Sequence, residues 1–456
     1  MIRGSLAEFA PTLQGRCTAP ARFEGVSIDS RRAVSGALFV AIRGERMDGH
    51  KFVTDAARAG VAAAMVEREL DTPLPQMIVA DTTAGLGQLA SHWRQRFTLP
   101  VIGVTGSNGK TTVKQMLAAI MACRGEVLAT RGNLNNHIGM PLTLLELDER
   151  HQAAVIEMGA NHAGEIALLA GLARPDVGLV TNAGRAHLEG FGSLDGVARA
   201  KGEMFEALPE DGVAVINTDD AYAELWLSLA GSRPVIRFGH GELADVRPGS
   251  SVQQTADGGQ WFVLVTPQGE AEVRLPLPGA HNISNALAAA AAALAAGCTP
   301  VEIASGLACV DGAPGRLQLH QTADGACLLD DSYNANPDSL AVALDVLAAR
   351  EGRRILVLGD MGELGPEGRA LHAEMGRQAR ASGIEHLYTL GELSAAASEA
   401  FGEGAAHSTG IEALLARLHD CTGPDCTILV KGSRAMQMER VVSALATPVV
   451  ADAGGD

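Results

Sequence analysis

The 456 residues exceed what one hydrophobic core usually organises, and 47% hydrophobic with 20% charged residues exclude a disordered chain. The 36 basic and 53 acidic side chains leave a formal charge of -17, which excludes a general electrostatic grip on nucleic acid or an anionic membrane surface. Any anionic ligand must therefore meet local positive sites. The cysteines at 17, 123, 298, 309, 327, 421 and 426 show no C-x-x-C pairing that would hold zinc and read as reduced, mostly buried thiols.

The opening residues lack a basic stretch, an apolar segment and a small-residue cleavage site in succession, so a cytoplasmic protein is expected. From Met1 to about Phe97 the pattern is that of a small mixed domain. Short apolar strands at Leu38 to Ile42 and Gln76 to Val79 flank an Ala-containing helix near Asp55 to Ala64. Beyond the turn at Thr98 to Pro100, β-branched runs at Val101 to Val104, Ala153 to Met158, Val177 to Asn182 and Val213 to Asn217 alternate with helical segments, which predicts a parallel sheet flanked by helices. Residues Gly239 to Leu275 alternate polar and apolar positions between turn residues and predict antiparallel strands. The apolar window Ala286 to Ala296 is about half the roughly 20 residues of a membrane span and reads as a buried helix. After Pro314, strands at Cys327 to Leu329, Ile355 to Leu358, His386 to Leu390 and Thr427 to Val430 predict a third α/β domain of Rossmann-like type. The expected division is 1–97, 98–313 and 314–456, all α/β, with a central sheet resembling that of P-loop ATPases.

The strongest local signal is Thr105-Gly106-Ser107-Asn108-Gly109-Lys110-Thr111-Thr112 between a predicted strand and a predicted helix. Glycines let backbone N–H groups turn onto phosphate oxygens, Lys110 neutralises β and γ phosphates, and the Thr111 hydroxyl suits magnesium. The usual P-loop spacing requires glycine where Val104 stands, so this is a shortened variant. Phosphate binding is adopted over an ordinary Gly-rich turn because the strand, the helix and the Lys-Thr-Thr ending coincide.

Glu157 and His187 follow later strands, at the sheet edge where ligands collect. A buried-strand carboxylate needs a partner, and magnesium bridging to ATP suits it. His187 taken alone reads as structural, because imidazole is an unusual magnesium ligand. Lys201, at an expected helix start, reads by itself as a solvated lysine. His281-Asn282-Ile283-Ser284-Asn285 stands before the Ala-rich run, where it serves equally as a helix cap or as amides for a purine edge. In the third domain Arg316, Asp331, Asn334, Asn336, the Asp360 to Gly365 segment and Lys431 fall where strands run into loops.

These segments, in this order and over nearly the whole chain, resemble the Mur ligases. Within the family, Asn133-Leu134-Asn135-Asn136, Asp331 to Pro337, Asp360 to Gly365 and Lys431 to Arg434 look most like the members that add D-alanyl-D-alanine, and Ser27 to Arg32 with Phe39 to Gly44 agree. The resemblance implies an ATP-dependent, ADP-forming ligase of peptidoglycan biosynthesis. Such an enzyme joins D-alanyl-D-alanine to UDP-N-acetylmuramoyl-tripeptide through an acyl phosphate. It implies ATP-loop residues Gly106 to Thr112, catalytic Lys110, Glu157, His187 and Lys201, and magnesium held by Thr111 and Glu157 and by His187 and Lys201. Lys201 is then expected as a carbamate, which turns an ammonium that repels magnesium into an anionic oxygen ligand. Asn282 and Asn285 are implied for adenine, and Arg316 and Asp331 for phosphate and ribose. For the UDP substrate the implied residues are Ser30, Arg31, Arg43, Asn133 and Asn136. Asn334, Asn336 and Lys431 are implied for the incoming dipeptide or the reaction centre. The family also suggests a monomer. Two rivals stand beside this reading: a sister or folylpolyglutamate-type ligase, and a P-loop regulatory module that forms no covalent product.

Overall fold

A computed structural model describes residues 1–44, 47–255, 258–419 and 423–446. Cys421 and the end of the chain from 447 lie outside the described residues. The β-branched run at Val101–Thr105 is fully buried because helices cover both faces of its sheet, as a parallel sheet requires. Across that sheet the strands run Val235–Phe238, Val213–Asn217, Val177–Val180, Val101–Thr105, His151–Glu157 and Glu126–Ala129, all parallel. The chain leaves Val101–Thr105 toward one edge and later returns to build the other. The carboxyl end of that strand is therefore the topological switch point, where ligands of open α/β sheets bind.

The Ala-rich run forms a helix, Ala280–Ala295, buried from Ala286 to Leu294. Methyl side chains let it lie close on one face of the sheet, against Ile102, Val104 and Val155. The predicted antiparallel segment is a three-stranded meander of Arg247–Gln254, Gln260–Thr266 and Gly269–Leu275. Among the described residues, no helix is long and apolar enough to cross a membrane.

The N-terminal sheet orders Arg16–Cys17, Gln76–Ile78, Ala63–Val66, Leu38–Val40 and Val26–Ser27, with only the first pair antiparallel. Here the helix expected to reach Ala64 is corrected. It ends at Arg58, and Ala63–Val66 is a buried strand, because Gly60 at φ 87 turns the chain back into the sheet. The third sheet orders Gln318–Gln321, Cys327–Asp331, Cys426–Lys431, Arg353–Gly359, His386–Leu390 and Ala405–Ser408. Only its first pair is antiparallel. Cysteine burial is also corrected: of the six described thiols, Cys298 and Cys426 are buried, while Cys123 and Cys309 are exposed.

Candidate functional site

The segment Gly106 to Gly109 links Val101–Thr105 to the helix Lys110–Ala122, and two of its glycines are dictated by space. A Cβ on Gly106, at φ 141, would stand 1.9 Å from Thr181 Oγ1. One on Gly109, at φ 81, would stand 2.4 Å from Asn285 Oδ1. Left-handed backbone and close approach both favour glycine there. The loop is tied to the next strand's exit. Thr181 Oγ1 donates to the Asn108 carbonyl at 2.6 Å, and Asn108 N–H donates to Asn182 Oδ1 at 3.0 Å. Ser107 Oγ and Gly184 also exchange bonds, Oγ donating to the Gly184 carbonyl at 3.2 Å and accepting from its N–H at 2.9 Å. Lys110 Nζ donates to the Gly106 and Ser107 carbonyls at 2.7 and 3.1 Å. Burial lowers its pKa to about 8.

Glu157 ends its strand buried, as the sequence predicts, and each of its carboxylate oxygens has a partner. Thr111 Oγ1 donates to Oε2 at 3.1 Å and Asn135 Nδ2 donates to Oε1 at 2.8 Å. The buried Lys114 ammonium lies 3.3 Å from Oε2. Lys114 is not among the residues expected from the sequence, and Asn135 falls in the quoted Asn133 to Asn136 segment without an assigned role. Lys114 is one helical turn beyond Lys110, a spacing that puts both on the same face and could have indicated it.

Lys201 requires a correction. It is not near a helix start but mid-helix in Leu194–Glu206, whose N-cap is Ser193, and it is only 1% exposed, so it is not a solvated lysine. Its Nζ donates to the Ala160 carbonyl at 3.3 Å and stands 5.0 Å from the Phe191 ring centroid. Burial first, then the nearby Lys110 cation, lower its pKa to about 7. His187 caps the helix Leu188–Phe191 in a left-handed conformation, φ 54, and its Nδ1 meets the Glu363 carboxylate, itself on a residue at φ 59. Two non-glycine residues in that region, meeting across two domains, mark a constrained junction.

A cavity of about 370 Å³ opens beside the loop. Asn108, Gly109 and Thr112 line one side, Asn282 and Asn285 a second, and Arg316, Asp331 and Lys431 the third. The even choice at Asn282 resolves against capping. Gly279 is the N-cap, and Asn282 lies in the first turn with Nδ2 donating to the Pro278 carbonyl at 2.7 Å and Oδ1 accepting from Asn285 at 3.0 Å. Lys431, buried, donates to Asp331 at 2.5 Å and to the Asn334 carbonyl at 3.0 Å. Burial lowers its pKa and the Asp331 carboxylate opposes this. The Arg316 guanidinium lies 4.4 Å from the Tyr333 ring centroid. Asn336 caps the helix Pro337–Ala348 and donates through Nδ2 to Asn108 Oδ1 at 2.8 Å, across the domain boundary.

The residues expected at the UDP substrate lie elsewhere: none of Ser30, Arg31, Arg43, Asn133 and Asn136 is among those lining this cavity. Ser30 and Arg31 share a 3-10 turn capped by Asp29, whose carboxylate also takes the exposed Arg31 guanidinium at 2.9 and 2.8 Å. Arg43 pairs with Asp48 through the backbone alone, in an isolated antiparallel β-bridge. The Asn136 side chain caps the N–H groups of Ile138 and Gly139 at 3.2 and 2.8 Å.

Among the described residues, no three His, Cys, Asp or Glu side chains are grouped to hold a metal. The Thr111 hydroxyl and Glu157 carboxylate are nonetheless hard oxygen donors beside the glycine-rich loop, a set that fits magnesium. Lys201 fits a metal only in an anionic form.

Family models match three stretches of the chain. The Mur ligase family catalytic domain covers residues 22–94, the Mur ligase middle domain 104–293, and the Mur ligase glutamate ligase domain 315–449. The chain is 47% identical to the UDP-N-acetylmuramoyl-tripeptide--D-alanyl-D-alanine ligase of Escherichia coli over 98% of this chain and 99% of that one. Among solved structures, MurF from Acinetobacter baumannii superposes with a TM-score of 0.92 at 37% identity, covering 98% and 99% of the two chains. MurF ligase from Thermotoga maritima in complex with ADP gives 0.80 at 26% identity, covering 92% and 96%.

Proposed function

The chain belongs to the Mur ligase family, and from that membership we propose that it joins D-alanyl-D-alanine to UDP-N-acetylmuramoyl-tripeptide at the expense of ATP, releasing ADP and phosphate. The observation that carries this reading is the cavity: a phosphate loop on one wall faces Arg316, Asp331 and Lys431 of another domain. A nucleotide held there has its phosphates directed to a seam between domains, where a second substrate can reach an activated carbonyl.

Residues 1–97 then hold the UDP end through Ser30, Arg31 and Arg43, aided by Asn133 and Asn136. Residues 98–313 bind ATP, and 314–456 close over it and receive the dipeptide through Asn334, Asn336 and Lys431. Asn282 and Asn285 face adenine, while Arg316 and Asp331 address phosphate and ribose. The terminal carboxylate of the tripeptide attacks the γ-phosphorus of ATP and ADP departs, leaving an acyl phosphate. The dipeptide amine then attacks the carbonyl carbon, and phosphate leaves as the amine loses its proton. Lys110 offsets charge that develops during phosphoryl transfer.

Thr111 and Glu157, and His187 with Lys201 as a carbamate, would hold magnesium, which when bound would neutralise phosphate charge. Lys201 suits a carbamate role because an amine of pKa about 7 is substantially neutral at physiological pH, and only the neutral form attacks carbon dioxide. The Glu363 carboxylate against Nδ1 would orient the His187 ring and leave Nε2 free for a metal.

The test is product mass. The protein is incubated with ATP, magnesium, bicarbonate, UDP-N-acetylmuramoyl-tripeptide and D-alanyl-D-alanine, with ADP release followed in parallel. A pentapeptide product supports the assignment. ADP release elicited by a single amino acid and not by the dipeptide, or turnover with no product mass, overturns it.

A further inference from the structure

Arg185 lies in the short connection between the strand Val177–Val180 and the helix Leu188–Phe191, and it is not among the residues lining the cavity. Its backbone N–H donates to Asp338 Oδ2 at 2.6 Å and its Nε donates to Oδ1 at 2.8 Å, so one carboxylate is gripped twice by one residue. Its Nη1 donates to Glu374 Oε1 at 3.0 Å. Asp338 is the second residue of the helix Pro337–Ala348, and Glu374 lies in the next helix, Gly368–Ala381, both in the third domain. Arg185 thus reaches two helices of one domain from a loop of another.

The neighbouring residue ties this contact to the nucleotide loop. Gly184 exchanges its two hydrogen bonds with Ser107 Oγ, and a Cβ there would stand 2.7 Å from Asp338 Oδ2. Asn108, Gly184 and Asp338 all line the cavity. The chain of contacts runs Glu374 and Asp338, Arg185, Gly184, Ser107, without a gap.

We propose that Arg185 is a positioning residue that latches the third domain onto the phosphate loop, so that docking of Arg316, Asp331 and Lys431 over the cavity and the set of the loop are one event. The inference rests on the cavity being the nucleotide site. The forked guanidinium suits the role, since it holds two carboxylates in fixed directions where an ammonium would not. The pairs are a third to a half exposed, so the latch is weak enough to open between turnovers.

The experiment compares the full chain with Arg185→Ala, Arg185→Lys and Glu374→Gln. Small-angle scattering reads the radius of gyration without nucleotide, calorimetry reads ADP affinity, and initial rates read KM for ATP and kcat. Loss of the latch lowers the docked fraction and raises apparent Kd in proportion. For Arg185→Ala the expected result is a larger radius of gyration, ADP binding weakened about tenfold, and a raised KM for ATP with kcat recovered at saturation. Arg185→Lys and Glu374→Gln, at a half-exposed carboxylate, give smaller changes in the same direction, and they decide the matter if Arg185→Ala does not fold. An unchanged radius of gyration with ADP affinity within about twofold of the parent overturns the latch, as does a loss of kcat alone. If the parent itself fails to bind ADP, the nucleotide reading has failed, and the scattering comparison still decides the latch.

Discussion

Replacing Lys201 by Met keeps the length of the side chain and removes a titratable group from a site that is 1% exposed. Burial lowers the lysine pKa from 10.5 to about 7. At about 1.4 kcal/mol per pH unit, that displacement corresponds to roughly 4 kcal/mol of stability forgone by the parent at pH 7, because the unfolded chain binds the proton that the folded chain surrenders. The sign follows directly. Between pH 7 and 10.5 the unfolded state holds more protons, so the parent gains stability as pH rises through that window, and below it the penalty is constant. Lys201→Met should therefore be more stable than the parent by up to about 4 kcal/mol at neutral pH in carbonate-free buffer, with the advantage shrinking toward pH 10.5. Urea unfolding followed by tryptophan fluorescence is the assay. Trp226 is a suitable reporter, since its Nε1 donates to the Ala198 carbonyl on the helix that carries Lys201. The same variant should lose ligation by more than about a thousandfold, because a thioether can neither form a carbamate nor hold a hard cation such as magnesium. Parallel stability curves for parent and variant across this pH range would refute the burial argument. Retained activity would refute the role.

Lys110→Ala should lower ATP turnover by about a hundred- to a thousandfold, measured as initial ADP release, since the cation beside the phosphates is lost. Glu157→Gln leaves the buried Lys114 without a counter-charge. It should cost roughly 3 kcal/mol in urea unfolding and abolish the response of ATP turnover to magnesium, whereas Asn135→Ala should cost only about 1 kcal/mol. Gly184→Ala places a methyl 2.7 Å from Asp338 Oδ2 and should push the third domain off the loop, read as a raised KM for ATP. Asn336→Ala removes a helix cap and the bond to Asn108, and should lower stability by about 1–2 kcal/mol in urea unfolding.

Much of the site could be read from the chain because its parts are local. The glycine-rich loop expected to bind phosphate is eight consecutive residues between a β-branched strand and a helix, and Glu157 ends a strand whose apolar run announces it. Where the reading failed, the deciding contact was distant. Ala62 to Ala64 suits a helix by propensity, yet hydrogen bonds from neighbouring strands claim it for the sheet. Lys201 was misplaced although Ser193 signals the helix start by accepting from Gly196 N–H, and its burial depends on Phe191 and Ala160 folding over it. Arg185 has no local signal, and the roles of Asn135 and Glu363 within their quoted segments stay open in the sequence, because the partners of all three stand far along the chain or in another domain.

The amino-acid order alone determined the succession of strands and helices, the phosphate loop and the apolar helix beneath it, since each follows from periodicity and from glycine, lysine and threonine at short spacing. It also carried the family resemblance over the whole length. Only the tertiary structure decided which polar groups share a carboxylate, which lysine loses its water, and how one domain grips another. Those outcomes depend on desolvation and on distances between residues that only packing brings together, as when Arg185 meets Asp338 across 153 positions of chain.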